Sequence, residues 1–309
     1  MDWHESHAHS LNRGGTKALA MALTVTLSFA ILEVVGGWLS GSLALMSDSG
    51  HMFTDSLALA LSLWAARLAL RPSDERRTYG LLRAEILMAL VNGVLLAGVS
   101  LFILYESYLR LQEPPKIESG LMLAVAIVGA MANIVSVFIL RSSAHHNLNV
   151  KAALMHVLGD LMSSVGVIIA ALLIFFYGLY VADPLFSIAI ALIILYGSYR
   201  IISQSVYILL EFVPKSIDLI EVKEKLLQVK GVLGVHDLHA WTIASGVYAL
   251  SAHIQVEDQP LSAVSNIMKE CERVLKERFN ISHTTLQLES VSCGDQVCFF
   301  NKAYDETGE

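Results

Sequence analysis

Charge is what this chain has least of. Only 16% of its 309 residues are Asp, Glu, Lys or Arg while 55% are hydrophobic, which excludes an ordinary soluble globular protein. A basic excess is missing as well: the net charge of -7 gives no support for nucleic-acid binding. Three Cys are too few for a disulfide framework. The N-terminal stretch from Met1 to Gly15 is polar and carries His4, His7 and His9, so it has no apolar core of a cleavable signal peptide. The first apolar helix is therefore expected to direct insertion itself.

The shortage of charge is unevenly spread. Up to about Ser205 the sequence is a string of long apolar segments, whereas beyond Glu211 Lys, Glu, Asp and Arg are interspersed as in a soluble domain. Six stretches are long enough to cross about 30 Å of hydrocarbon, which takes ~20 residues. They run over Thr16–Leu39, Ser42–Leu68, Arg83–Leu109, Ser119–Leu140, Val150–Tyr177 and Pro184–Ser205. The expected organisation is a cytoplasmic segment at 1–15, a six-helix transmembrane domain at 16–210, a cytoplasmic α+β domain at 211–290 and a Cys-containing tail at 291–309.

Positive charge orients this arrangement. Arg13, Lys17, Arg67, Arg71, Arg76, Arg77, Arg83, Arg141, Lys151, Arg200 and Lys215 fall on one side of a six-span chain, and only Arg110 and Lys116 on the other. The positive-inside rule then puts both termini in the cytoplasm.

Within the apolar part, two segments stand apart. His51-Met52-Phe53-Thr54-Asp55 and His156-Val157-Leu158-Gly159-Asp160 each place a His and an Asp at i, i+4. On a helix that spacing sets imidazole and carboxylate on one face, a turn apart. An ionisable residue at membrane depth needs a partner or a wet cavity, and the same motif on two helices would converge two nitrogens and two oxygens. Such a His2Asp2 set suits Zn2+, which takes four N or O ligands at about 2.0–2.2 Å in a tetrahedron. The absence of Cys from these helices argues against Cu(I); carboxylate-only sites would suit Mg2+, Ca2+ or Mn2+ better, and two imidazoles shift the preference toward Zn2+, with Co2+, Ni2+ and Cd2+ as competitors. Imidazole titrates near neutrality, so protons compete with metal for the site and exchange of one for the other becomes possible.

Other polar residues in the apolar segments read less sharply. Asp48 either attracts cations or caps the second helix, capping being the preferred reading. Glu33 and Asn133 either line the same cavity or pack between helices. Asp183-Pro184 reads as an N-cap followed by Pro at the first turn of the sixth helix.

The tail reads helix, strand, strand, helix, strand: Ile217–Val229, Val232–Ile243, Val247–Val256, Leu261–Phe279 and Thr284–Glu289, with Ser245-Gly246 as a hairpin turn. In the second strand Tyr248, Leu250, Ala252, Ile254 and Val256 alternate as a buried face and leave His253 on the polar one. By the same alternation Gln287 and Glu289 share a face, while His236 has the parity of Leu238 and Ala240. His239 is the rival by parity, and His236 needs a strand irregularity. Cys293 and Cys298 form a C-x4-C pair that would be reduced in the cytoplasm and suits metal capture.

Six spans, the paired His-x-x-x-Asp motifs and the run from Ala44 to Asp55 resemble the cation diffusion facilitators. The zinc-transporter branch, with its bacterial zinc, cadmium and cobalt resistance exporters, is the most similar. The resemblance covers about Leu19 to Glu289. It implies a homodimeric antiporter in the bacterial inner membrane that exports Zn2+ from the cytoplasm against protons. It also implies a ferredoxin-like, metallochaperone-like cytoplasmic domain.

Residue by residue, the resemblance puts the transport site at His51, Asp55, His156 and Asp160. A charge pair between membrane and cytoplasmic parts falls at Arg83 and Glu211. Zinc ligands in the tail fall at His236, His253 and Glu289, with His283 a possible addition and Cys293 and Cys298 nearby. His at position 51, where many relatives have Asp, resembles members that favour Zn2+ over Cd2+. The loop from Ser73 to Gly80 has no His, so the metal site some relatives carry there is expected to be missing. Ala144-His145-His146-Asn147 is too short to be the His-rich store of others.

Two further readings use the same ligands. An intramembrane metallohydrolase would need an open coordination position and a nearby general base, and no motif supplies them. A membrane metal sensor would need an output segment after Glu289, and none is recognisable.

Overall fold

The computed structural model describes residues 13–69, 71–144 and 148–290. His4, His7, His9, His145, His146, Cys293 and Cys298 lie outside the described residues, as do the side chains of Asp55 and His156. Six long helices come first: α1 (Arg13–Ser40), α2 (Leu43–Ala69), α3 (Ala84–Gln112), α4 (Ser119–Ala144), α5 (Leu148–Tyr177) and α6 (Ala182–Leu209). They are followed by α7 (Leu219–Leu227), β1 (Val232–Ala244), β2 (Val247–Val256), α8 (Leu261–Phe279) and β3 (Ile281–Glu289). The order of elements agrees with the expected one. Backbone contacts divide the chain into two units, one of Met1–Trp64 with Met88–Ile202 and one of Ala65–Leu87 with Ser203–Glu309.

Among the described residues, four helical stretches are long and apolar enough to cross a membrane: Ala84–Gln112, Ser119–Arg141, Val157–Tyr177 and Ala182–Leu209. The protein is an integral membrane protein. α1 and α2 are as long as the others, at 28 and 27 residues. α2 is less apolar because it carries the polar run from Ser47 to Asp55.

The first unit inverts the pattern of a soluble protein. Large apolar side chains such as Phe102, Tyr105, Met131, Phe138, Phe176 and Ile193 are exposed, as lipid-facing residues must be. Glu33, Asp48, Asn92, Asn133, Asp160, Ser164 and Asp183 are buried. α4 packs chiefly on α5 and α1, around Ala126, Val167, Ala170 and Ala171. Small residues permit that approach: a Cβ on Gly36 would sit 2.6 Å from Val125 Cγ2. Buried hydroxyls are satisfied one turn back, as where Ser47 Oγ donates to Leu43 O at 2.8 Å and Ser187 Oγ to Asp183 O at 2.7 Å.

Asp183 corrects one expectation. α6 already begins at Ala182, and the Asp183 carboxylate caps α2 instead. It accepts from Ser42 Oγ at 2.5 Å, Leu43 N at 2.8 Å and Ala44 N at 3.1 Å. Arg110 Nη1 lies 3.9 Å from the same carboxylate and donates to Gly41 O at 2.6 Å. The first backbone N–H groups of a helix have no partner of their own, and in an apolar setting water cannot supply one. A carboxylate from a helix distant in sequence does so here, which local reading could not foresee.

In the second unit, β1, β2 and β3 form one sheet in that order, β1 antiparallel to β2 and β2 parallel to β3. The Ser245-Gly246 turn closes the hairpin, with Gly246 at φ 74. α8 is the crossover between the parallel strands, and α7 and α8 bury Val222, Leu226, Cys271 and Leu275 with the apolar face of β2. Asp218 starts α7 by accepting from Ile220 N at 2.8 Å. Asn280, at φ 55, ends α8 in the left-handed conformation. The segment from Ala65 to Leu87 belongs to this unit: Ser245 Oγ donates to Glu85 Oε1 at 2.9 Å and Tyr79 Oη meets His283 Nε2 at 3.3 Å.

Candidate functional site

α2 and α5 carry the two His-x-x-x-Asp motifs in mid-helix. His51 Nε2 lies 3.9 Å from Asp160 Oδ1, so one residue of each motif meets across the two helices. The Asp160 side chain is 2% exposed and that of His51 26%, which joins a buried carboxylate to an imidazole with a wetter edge. Two donors bound to one tetrahedral zinc sit about 3.3 Å apart, so a small contraction would let both reach one ion.

The surroundings of this pair are polar. Ser164, one turn after Asp160, donates to Asp160 O at 3.0 Å and lies 3.4 Å from Asp48 Oδ2. Asn133 Nδ2 donates to Ser164 Oγ at 3.1 Å. Asp48 is well inside α2, whose start is capped by Ser42 and Asp183, so capping is not its role. Ser164 escaped the sequence reading, although its i+4 spacing from Asp160 marks the same face.

The second cluster lies on the sheet. His236 and His253 are register partners on β1 and β2, and Glu289 ends β3. His253 Nδ1 is 2.7 Å from Glu289 Oε1, and His236 Nε2 is 3.4 Å from Glu289 Oε2. One ligand atom from each of the three lies within 4.8 Å of the others. The irregularity that His236 requires is present: the register shifts between His236 and His239, with Asp237 at φ 49. That bulge turns His236 to the side of His253.

Asp237 itself was missed. Its carboxylate lies within hydrogen-bond distance of His239 Nε2 at 3.1 Å and 3.7 Å from His253 Nε2, an acidic neighbour at the edge of the cluster. The available signal was chemical: Asp is among the residues that tolerate the left-handed conformation a bulge uses. His283 stands apart from the three, against the ring and hydroxyl of Tyr79. Cys271 is no ligand either: burial pushes its thiol up to about 11, and it packs in the core below the sheet.

Arg83 and Glu211, expected to pair, do so at 2.7 Å between Nη2 and Oε1. In the preceding turn Asp74 accepts from Arg76 N and Arg77 N, and the Arg77 side chain holds its carboxyl below the usual range.

Residues 19–210 match the cation efflux transmembrane domain, and residues 214–291 match the cytoplasmic domain of cation efflux proteins. The chain belongs to the cation efflux family. Its members include the metal cation efflux system protein CzcD of Cupriavidus metallidurans, 42% identical over 96% of this chain and 94% of the relative. A cadmium, cobalt and zinc/H(+)-K(+) antiporter of Bacillus subtilis is 39% identical over 91% of this chain and 92% of its own. Zinc transporter ZitB of Escherichia coli is 38% identical, covering 96% of both chains. The resemblance drawn from the paired motifs is thereby borne out. This cation efflux protein is a transporter and not an enzyme.

Proposed function

We propose that this cation efflux protein exports Zn2+ from the cytoplasm in exchange for protons, through a site made by His51, Asp55, His156 and Asp160. The convergence of His51 and Asp160 across α2 and α5 carries the reading. Two carboxylates cancel the charge of the ion, which makes holding it inside the membrane tolerable, and two imidazoles favour Zn2+. Four protein ligands leave no place for a reactive water, as transport requires. The imidazoles release the ion when protonated from the far side.

In this reading all six long helices cross the bacterial inner membrane with both termini in the cytoplasm. The tail is a ferredoxin-like, metallochaperone-like domain that joins two copies as a homodimer. His236, His253 and Glu289 bind Zn2+ there, with Asp237 at the edge of the cluster, and Arg83–Glu211 braces the chain next to it. Cadmium and cobalt, named beside zinc for a relative, are the competitors of Zn2+ at the site.

Purified protein in liposomes with a zinc reporter inside and an imposed pH gradient tests the proposal. Wild type moves zinc and collapses the gradient, and Asp55→Ala or Asp160→Ala abolishes both. Flux surviving in either variant removes the site; zinc binding without flux of any divalent metal points to a sensor instead.

A further inference from the structure

The first unit buries more acid than the transport site uses. Glu33 lies two turns before the end of α1 and is 1% exposed, yet neither carboxyl oxygen has a hydrogen-bond partner among the described residues. Its carboxyl group presses so closely on Gly129 of α4 that a Cβ there would overlap Oε1. The charges of Asp48 and Asp160 both act on it. Asn133 of α4 is likewise 1% exposed, and its carbonyl oxygen Oδ1 also lacks a partner although its amide serves Ser164. Asp48, 1% exposed, stands about one turn nearer the α1–α2 connection than His51. Ser164 stands one turn beyond Asp160 and touches both Asp48 and Asn133. These oxygens therefore form a layer next to the His51–Asp160 pair, on the side of the α1–α2 connection.

We propose that Glu33, Asp48 and Asn133 form a second, all-oxygen divalent-cation station, which takes the ion from the His51–Asp160 layer on its way out. The proposal rests on the transport site and orientation put forward above, in which the α1–α2 connection faces the exterior. Among the described residues only the His51 imidazole, which also faces Asp160, offers positive charge to these two buried carboxylates, and a divalent ion supplies the matching charge. Oxygen donors alone hold Zn2+ less tightly than a set with imidazoles. A weaker station beside a stronger one keeps the ion from being trapped once the imidazoles let go. Gly129 has a role in this scheme: the missing Cβ is what leaves room for the Glu33 carboxylate.

Glu33→Gln and Asp48→Asn keep shape and remove charge, and Gly129→Ala displaces Glu33 without touching a carboxylate. Each is reconstituted as the full chain and assayed for zinc flux, once down a zinc gradient alone and once with an added pH gradient. Co2+ absorption of the same preparations, made in a His236→Ala/His253→Ala background that silences the tail cluster, reports His–Asp ligation at the transport site and, with it, folding. The expected result is an unchanged cobalt spectrum with flux reduced about 10- to 100-fold in both assays. Wild-type flux in Glu33→Gln and Asp48→Asn overturns the station. Flux lost only under the pH gradient also overturns it, because these groups would then handle protons and not metal. A lost cobalt spectrum overturns it too, by making them supports of the first site. Failure of the wild type itself to move zinc is a separate outcome, which removes the transport reading.

Discussion

The chain builds two His–carboxylate clusters on two kinds of backbone. In the membrane unit His51 and Asp160 approach to 3.9 Å from two helices, around a carboxylate that is 2% exposed. On the sheet, His253 and Glu289 are already at 2.7 Å, with His253 at 20% exposure. Helix-borne side chains can separate when one helix tilts or turns, since among the described residues no backbone hydrogen bond joins α2 to α5. Strand-borne ligands cannot, because ladders from β1 to β2 and β2 to β3 fix them. In the function proposed above, the first arrangement suits an ion in passage and the second an ion that stays.

Removing the buried carboxylate from the helix-borne cluster breaks the comparison most severely. Asp160→Ala is expected to lower zinc flux by at least about 100-fold. Zinc affinity at the tail, measured by titration of the same protein, should not change. A parallel loss of tail affinity would show that the two clusters are one system.

Asp183→Ala comes next, and its effect is on folding. It strips three hydrogen bonds from the start of α2 and leaves Arg110 without its buried partner. The expected cost is roughly 3–5 kcal/mol, read as a lowered thermal midpoint in detergent. Asp183→Asn keeps one acceptor oxygen and should lose less. Equal losses would mean that shape and not the cap holds α2.

On the fixed cluster the expected effects are smaller. His253→Ala should weaken tail zinc binding about 10- to 100-fold, and Asp237→Asn about 10-fold because Asp237 stands only at the edge of the cluster. Both variants retain basal flux if the tail tunes transport. Complete loss of flux in either would make the strand cluster part of the pathway.

The different backbones also explain what could be read in advance. The i, i+4 spacing of His51 with Asp55 and of His156 with Asp160 is a local signal, and apolar runs marked the helices that carry them. His253 and Glu289 followed from strand alternation, but their meeting depends on register, which pairs His253 with Gln287 and Gln255 with Glu289. His236 fitted only through the bulge at Asp237, whose position no alternation rule supplies. His283 has the right chemistry but faces Tyr79, 204 residues away in sequence. Asp183 failed for the same reason: a local cap and a long-range cap look alike until α6 is placed beside α2.

The smallest effect expected is at the Arg83–Glu211 pair, and there two terms nearly cancel. Both side chains are largely exposed, at 39% and 56%, so the pair contributes at most about 1 kcal/mol. Glu211 also holds φ 61, a left-handed conformation that costs a non-glycine residue about 1–2 kcal/mol. Glu211→Gly removes the pair and that strain together, while adding about 0.5–1 kcal/mol of unfolded-state entropy. Stability should therefore stay within about 1 kcal/mol of wild type, whereas Glu211→Ala loses the pair and keeps the strain. If flux in Glu211→Gly falls while its thermal midpoint holds, the pair transmits between site and tail; unchanged flux would make it an ordinary surface contact.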